Sequence, residues 1–252
     1  MTDNPRAYII CGTPRSGSTL LCEMLAASRI AGRPHSYFRP QDIGWWAGNW
    51  GVPHTGGIET ADFDRAYLAA MHEASNAGTG IFGLRIMYSS LVEAGRRLNR
   101  ASGATGTVAE ALRQAFGPVL YIHLSRGDKL GQAVSLMRAE QTGLWHLNAD
   151  GSVLEGGESR PEPRYDGARI AAILGELEAD DAAWERFFAG HGLQPLRLTY
   201  ETLTAGPQQA LAEIFAALGL DRARAQTMAV PTAKMADALS QEWVERFLRE
   251  QA

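Results

Sequence analysis

Four short apolar runs punctuate a chain that otherwise repeats its hydrophobic residues at helical spacing. "AYIIC" (7–11), "GIFGLRIMY" (80–88), "PVLYIHLSR" (118–126) and the core of "PLRLTYETL" (195–203) are bounded by turn residues, and each predicts a buried strand. After the first run, "SGSTLLCEMLAAS" (16–28) places Leu20, Leu21, Met24 and Leu25 on one helical face. Residues 61–78 read as an amphipathic helix with Asp62 as its cap, and 89–116 as one or two helices broken near "ASGATG". Residues 128–145 and 167–192 are helical, and two or three helices follow the fourth strand. The segment 29–38 carries Gly-x-Pro and predicts a short strand and a turn. Residues 39–60, with three tryptophans and five glycines, and 152–166, rich in Pro, Gly and Glu, read as loops. Strand and helix alternate throughout, which predicts a single α/β domain over 1–252: a parallel sheet flanked by helices, with no internal repeat or linker.

Composition narrows the class. The net charge of −4 argues against nucleic acid as a partner. No apolar run has the roughly 18 residues that a membrane span needs, and the N-terminal residues are too short and too acidic for a signal peptide. Cys11 and Cys22 make no disulfide framework and suit a reducing, cytoplasmic setting as small buried thiols. Apolar C-terminal helices are compatible with a homodimer. Charge is uneven: residues 85–138 hold eight Arg/Lys against three Asp/Glu, whereas 176–185 hold five acids and no base. The basic stretch suits a small anionic ligand. With only two lysines, Lys129 and Lys234, arginine is the habitual cation of this chain.

The chemistry starts at "GTPRSGST", residues 12–19. Gly12 and Gly17 have the spacing of a phosphate-binding loop, and Thr19 occupies the hydroxyl position. Such a loop wraps phosphates with backbone amides, helped by the positive end of the following helix. Ser18, however, replaces the lysine that nucleotide hydrolases use, and Arg15 appears three residues early. The third strand ends in Arg126 where a metal-holding carboxylate would stand, with Asp128 at the next helix cap. The residues therefore suit a ligand with two separated anionic groups and no metal: one on the loop, the other held by Arg126 and by Ser135 on the next helix. That is the pattern of 3′-phosphoadenosine 5′-phosphosulfate (PAPS). Arg126 paired with Asp128, and Ser135 as an ordinary helix serine, are the bland alternatives.

"GTPRSGSTLL", "GRPHSYF", "LSRGDKLGQAVSLMRAEQTGLW" and "SQEWVERF", in this order along nearly the whole chain, resemble the bacterial trehalose 2-sulfotransferase family. The resemblance implies a P-loop-like sulfotransferase fold and PAPS as donor. It implies that Arg15, Ser16, Gly17, Ser18 and Thr19 hold the 5′-phosphosulfate and that Arg126 and Ser135 hold the 3′-phosphate. Lys234 falls where the family has a basic residue just before the C-terminal helix, which implies a reach to the donor, with an exposed loop lysine as the alternative. One position departs from the family: Ser36 stands two residues after the proline of Gly-x-Pro, where the family shows a glutamate proposed as the catalytic base.

A serine hydroxyl does not act unaided as a base at neutral pH. The adjacent His35 is the first substitute, although in extended chain residues 35 and 36 face opposite sides. His123 and His54 compete with it, while His72, His146 and His191 read as bland. The expected reaction is in-line transfer of a sulfuryl group to a hydroxyl of a carbohydrate or other small metabolite, with Arg15 stabilising charge on the leaving oxygens. Arg85, at the end of the second strand, is placed near the sulfuryl group or the acceptor, with a plain salt bridge as its alternative. Ser36, Tyr37, Phe38, Trp45 and Trp145 are the candidate acceptor contacts. A non-catalytic homologue that binds the donor, and a P-loop kinase of small molecules, are the competing classes.

Overall fold

A computed structural model describes residues 4–53, 57–147, 152–156, 161–228 and 238–251. Four parallel strands form the main sheet: β1 (Ala7–Gly12), β2 (Phe82–Met87), β3 (Val119–Ser125) and β6 (Leu196–Thr199), in the order β2-β1-β3-β6. β2, β3 and β6 lie within their predicted apolar runs, and β1 extends its run by one residue, Gly12. β1 is buried along its whole length because both faces are covered: Ala7, Ile9 and Cys11 enter one apolar cluster, Tyr8 and Ile10 the other. A strand packed on both sides reads as a continuous apolar run rather than an alternating one. Tyr8 retains a partner for its hydroxyl, which donates to the Ala31 carbonyl at 2.8 Å.

Helices cover both faces. One side carries α3 (Ala61–Asn76), α4 (Tyr88–Ser102), α5 (Val108–Phe116) and the C-terminal half of α7 (Gly167–Gly190). The other carries α1 (Ser18–Ala27), the short α8 (Tyr200–Ala205) and α9 (Pro207–Ala217). A third apolar cluster joins α6 (Lys129–Thr142), the N-terminal half of α7 and α10 (Ala238–Gln251). The 24-residue α7 thus belongs to two cores. Ile170, Ile173 and Leu177 pack beside α6 and α10, and Trp184 and Phe188 pack under the sheet. Its middle turns are carried past the C-terminal ends of the strands, where parallel sheets bind ligands. Among the described residues, no helix is long and apolar enough to cross a membrane. Cys11 and Cys22 are buried free thiols, as expected, and burial raises both pKa values, that of Cys22 to about 11.

Four local expectations need correction. Residues 39–60 are not one loop: a 3-10 turn (Pro40–Asp42) leads into α2 (Ile43–Asn49), whose Ile43 and Ala47 are buried in the sheet-side core. Aromatic contacts, rather than periodicity, hold this segment; Trp46 and Trp50 stack at 5.1 Å. The cap of α3 is Thr60, which accepts from the Phe63 amide, and Asp62 lies in the first turn. The strand expected within 29–38 is reduced to one bridge, His35 against Leu84 on the β2 edge. Finally, α6 stops at the left-handed Gly143, and β4 (Leu144–Leu147) pairs antiparallel with β5 (Val153–Gly156) where helix end and loop were expected.

Candidate active site

The loop after β1 is shaped by two glycines for two different reasons. A Cβ on Gly12 would stand 2.7 Å from the Leu124 carbonyl oxygen, so only glycine lets β1 end so close to β3. Gly17 has φ +86°, and a Cβ there would meet the Tyr200 ring at 2.9 Å. Gly17 is the N-cap of α1 and offers no side chain to its free amides, and the first turn holds no acid. The helix N-terminus therefore keeps its anion-binding capacity for a ligand. Arg15 adopts φ 64°, a left-handed conformation that costs a non-glycine residue about 1–2 kcal/mol.

Buried partners hold the loop in this form. The Gln132 amide of α6 is fully buried and donates to Thr13 Oγ1 at 2.9 Å and to the Pro14 carbonyl at 2.6 Å. Thr13 Oγ1 donates to Asp181 of α7 at 3.4 Å, and Asp181 pairs with Lys129 of α6. One turn further along α7, Trp184 Nε1 donates to the Gly12 carbonyl at 3.0 Å. The spacing 177, 180/181, 184 puts one stripe of α7 against both core and loop.

In front of the loop lies a cavity of about 520 Å³. Part of its lining is basic and hydroxylic, with Arg15, Ser18, Thr19, Ser36 and Arg85. Arg85 is only 9% exposed; its Nε donates to Ser36 Oγ at 2.7 Å and its Nη1 to Thr19 Oγ1 at 2.7 Å. Among the described residues no carboxylate pairs with it, so the salt-bridge alternative does not hold. A buried guanidinium without a counter-charge is costly, and an anion in the cavity would supply that charge. The lining also includes an acidic group, with Glu140 from α6 and Glu176 and Asp180 from α7. Arg169 braces it, bonding Glu140 at 3.1 Å and Glu176 at 3.0 Å.

The sequence-predicted site residues divide into three groups. Arg15, Gly17, Ser18, Thr19, Ser36, Arg85 and Trp145 line the cavity. Ser16, Arg126 and Ser135 sit behind or beside it. Ser16 is fully buried below the loop. Arg126 lies over the Tyr200 ring at 4.6 Å, pairs with Asp128 at 3.2 Å and donates to the Arg15 carbonyl at 3.4 Å. Ser135 accepts from Arg15 Nε at 2.9 Å, and a second Arg15 nitrogen bonds the Trp145 carbonyl. Arg126 and Ser135 therefore both bond Arg15, from its backbone and its side chain respectively.

Tyr37, Phe38, Trp45 and His35 do not line the cavity. Tyr37 and Phe38 are 3% and 1% exposed in the core, because the chain after Ser36 turns inward under α3, where Tyr67 donates to the Tyr37 carbonyl at 2.6 Å. Trp45 is 63% exposed, with its ring edge against Trp46. His35 lies 4.8 Å from the Trp46 ring, and its Nδ1 accepts from the Ser36 amide at 2.9 Å. Burial, then the charges of Arg85 and Arg39, push its pKa down to about 4. The bridge to β2 keeps residues 35 and 36 extended, so Ser36 takes the cavity side and His35 the aromatic side. His35, expected as the catalytic base, is thus outside the cavity lining.

His123 is buried on the sheet beside Phe188, with Nδ1 3.2 Å from Glu185 and its pKa lowered chiefly by burial. Its position is structural. His54 and Lys234 fall outside the described residues. Sequence reading missed Gln132, Asp181 and Trp184, which shape the loop, and Asp180 and Glu140, which line the same cavity. The run of five acids in 176–185 carried the available signal.

With this geometry in place, comparison with known proteins agrees with the resemblance. The family model described as Stf0 sulphotransferase matches residues 7–250. The trehalose 2-sulfotransferase of Mycolicibacterium smegmatis is 29% identical over 282 residues, covering 99% of this chain and 97% of its own. That of Mycobacterium tuberculosis is 28% identical, covering 97% and 95%. A solved sulfotransferase domain from the curacin biosynthetic pathway aligns over 99% of this chain and 98% of its own, at 16% identity and a TM-score of 0.47.

Proposed function

The chain belongs to the Stf0 sulphotransferase family and is a sulfotransferase, and from that premise we propose that it moves the sulfuryl group of PAPS to a hydroxyl of a carbohydrate. The observation that carries this reading is Arg85. A buried guanidinium tied to Thr19 of the loop helix and to Ser36, without a carboxylate partner among the described residues, supports an anionic transferable group beside it. A kinase reading has less support, because Ser18 replaces the lysine that would bridge the β- and γ-phosphates.

In this account the amides of 15–19 and the N-terminus of α1 bind the 5′-phosphosulfate, and Arg85 holds the sulfuryl oxygens. Arg15, left-handed and bonded to Ser135 and Trp145, orders the loop and adds positive charge beside the bridging oxygen. The acceptor binds beside the acidic group. Glu140 and Glu176 suit a polyol, whose hydroxyls donate to carboxylates, and disfavour an acceptor that already carries sulfate or phosphate. Trehalose is the first acceptor to try, because both relatives are named for it.

Incubating the purified chain with sulfur-labelled PAPS and a panel of neutral sugars, trehalose included, tests the reading. Label should pass to a neutral sugar and should do so in EDTA. Label that stays on the donor with every acceptor contradicts it.

A further inference from the structure

The reaction requires a group that removes the hydroxyl proton, and the cavity narrows the choice. Ser36 is neutral, and its oxygen accepts from Arg85 Nε. No histidine among the described residues lines the cavity. The remaining proton acceptors are Glu140, Glu176 and Asp180. Arg169 bonds both glutamates, so their carboxylate oxygens are already engaged by a guanidinium. Asp181 is turned away from the cavity and is engaged by Lys129 and Thr13.

Asp180 alone among these carboxylates has no hydrogen bond or ion pair with a described residue. Its place is fixed by its helix: Asp181 and Trp184, one and four residues on, are bonded to Thr13 and Gly12 at the start of the loop. Asp180 thus lines the cavity from the stretch of α7 anchored to the phosphosulfate loop, and Arg85 lines the same cavity. We infer that Asp180 is the catalytic base, a role that rests on the transfer reading above.

In the step, the acceptor O–H gives its proton to the Asp180 carboxylate as its oxygen forms a bond to sulfur. The S–O bond to the 5′-phosphate breaks, and its electron pair leaves with adenosine 3′,5′-bisphosphate. The proton then passes to solvent at the cavity mouth. Burial, followed by the charges of Asp181 and Glu176, raises the Asp180 pKa and makes it a better proton acceptor than an exposed aspartate. The other charges around it are Arg15, Arg39 and Arg85 in the cavity lining, Lys129 and Glu140 on α6, and Arg169 on α7.

The test compares wild type, Asp180→Asn and Glu178→Gln, an exposed control on the same helix, with PAPS and the fastest-accepting sugar of the panel. Asp180→Asn should lower kcat by about 10²- to 10⁴-fold. Its unfolding midpoint and its affinity for adenosine 3′,5′-bisphosphate should match wild type, as should every property of Glu178→Gln. The wild-type rate should fall on acidification along a limb above the ordinary aspartate range, and Asp180→Asn should lack that limb. An Asp180→Asn protein that keeps kcat within about tenfold, keeps the limb, or loses affinity for the bisphosphate overturns the assignment. A wild-type chain that binds the bisphosphate but sulfates no sugar contradicts the transfer reading itself, and the assignment with it.

Discussion

Arg85 separates a binding residue from a structural one by the sign of its effects. A guanidinium that stabilises the fold through ion pairs is missed when removed; one buried without a carboxylate is held against its own desolvation. Arg85→Met should therefore change the unfolding midpoint of the free protein by only a few degrees or raise it, while weakening PAPS binding, measured without acceptor, by roughly 10²-fold. Calorimetry of both quantities on the same preparation checks this. Gly17→Ala should behave in the opposite way. The left-handed backbone and the Tyr200 ring at 2.9 Å leave no room for a methyl group, so about 1–3 kcal/mol of stability should be lost together with ligand binding. At this scale the sequence was legible wherever a residue acts through its own position. Gly12, Gly17, Thr19 and Arg85 follow from spacing and strand ends. His35 did not, because which of two neighbours faces the cavity depends on the bridge to Leu84, a contact that spacing along the chain does not encode.

At the scale of elements, α7 is the part that sequence patterning undersold. Its helical period was plain, as was its acidic run, but nothing local says that one stripe crosses the C-terminal ends of the strands. That follows from its length and from its membership of two apolar clusters. Trp184 illustrates the point, since it fills the core below the sheet while its indole nitrogen holds the Gly12 carbonyl. Trp184→Phe keeps the stack on Phe188 and leaves that carbonyl unpaired. A loss of about 1–3 kcal/mol should follow in denaturant unfolding, with weaker donor binding because the loop loses an anchor. The helix within 39–60 escaped notice for a related reason. Seven residues with two glycines form α2 because Trp46 and Trp50 pack on Tyr37 and Tyr67, not because their propensity demands a helix.

Over the whole molecule, a buried ion-pair cluster ties helices together, and buried histidine shapes the response to acid. Asp64 is fully buried and bonds Arg97 at 2.6 Å and Arg100 at 2.5 Å, which joins α3 to α4 behind the sheet. Asp64→Ala should cost about 1–3 kcal/mol, because Arg97 loses its fully buried partner but keeps Glu93 and Glu59. His35 is held near pKa 4, against about 6.5 in an unfolded chain. Between those values the unfolded chain binds the proton and the folded one does not, so stability is intact above pH 6.5 and falls as pH drops toward 4. His35→Gln should flatten that part of a stability–pH curve and leave kcat within about tenfold of wild type; a collapse of kcat would restore His35 as a catalytic candidate. The parallel sheet, its flanking helices and the phosphate loop could be read from hydrophobic runs and glycine spacing. The acidic part of the cavity lining could not, since Glu140 and Asp180 lie 40 residues apart in the chain and meet only when α6 packs on α7.

The central claim is that this cavity is built for a doubly anionic adenosine ligand whose charge satisfies Arg85. Titrating PAPS, without any acceptor, into the purified chain in EDTA, followed by isothermal calorimetry, tests it most directly. The account expects saturable one-to-one binding that is roughly 10²-fold weaker in Arg85→Met. Absence of binding to the wild-type chain, or equal binding to both proteins, would contradict it.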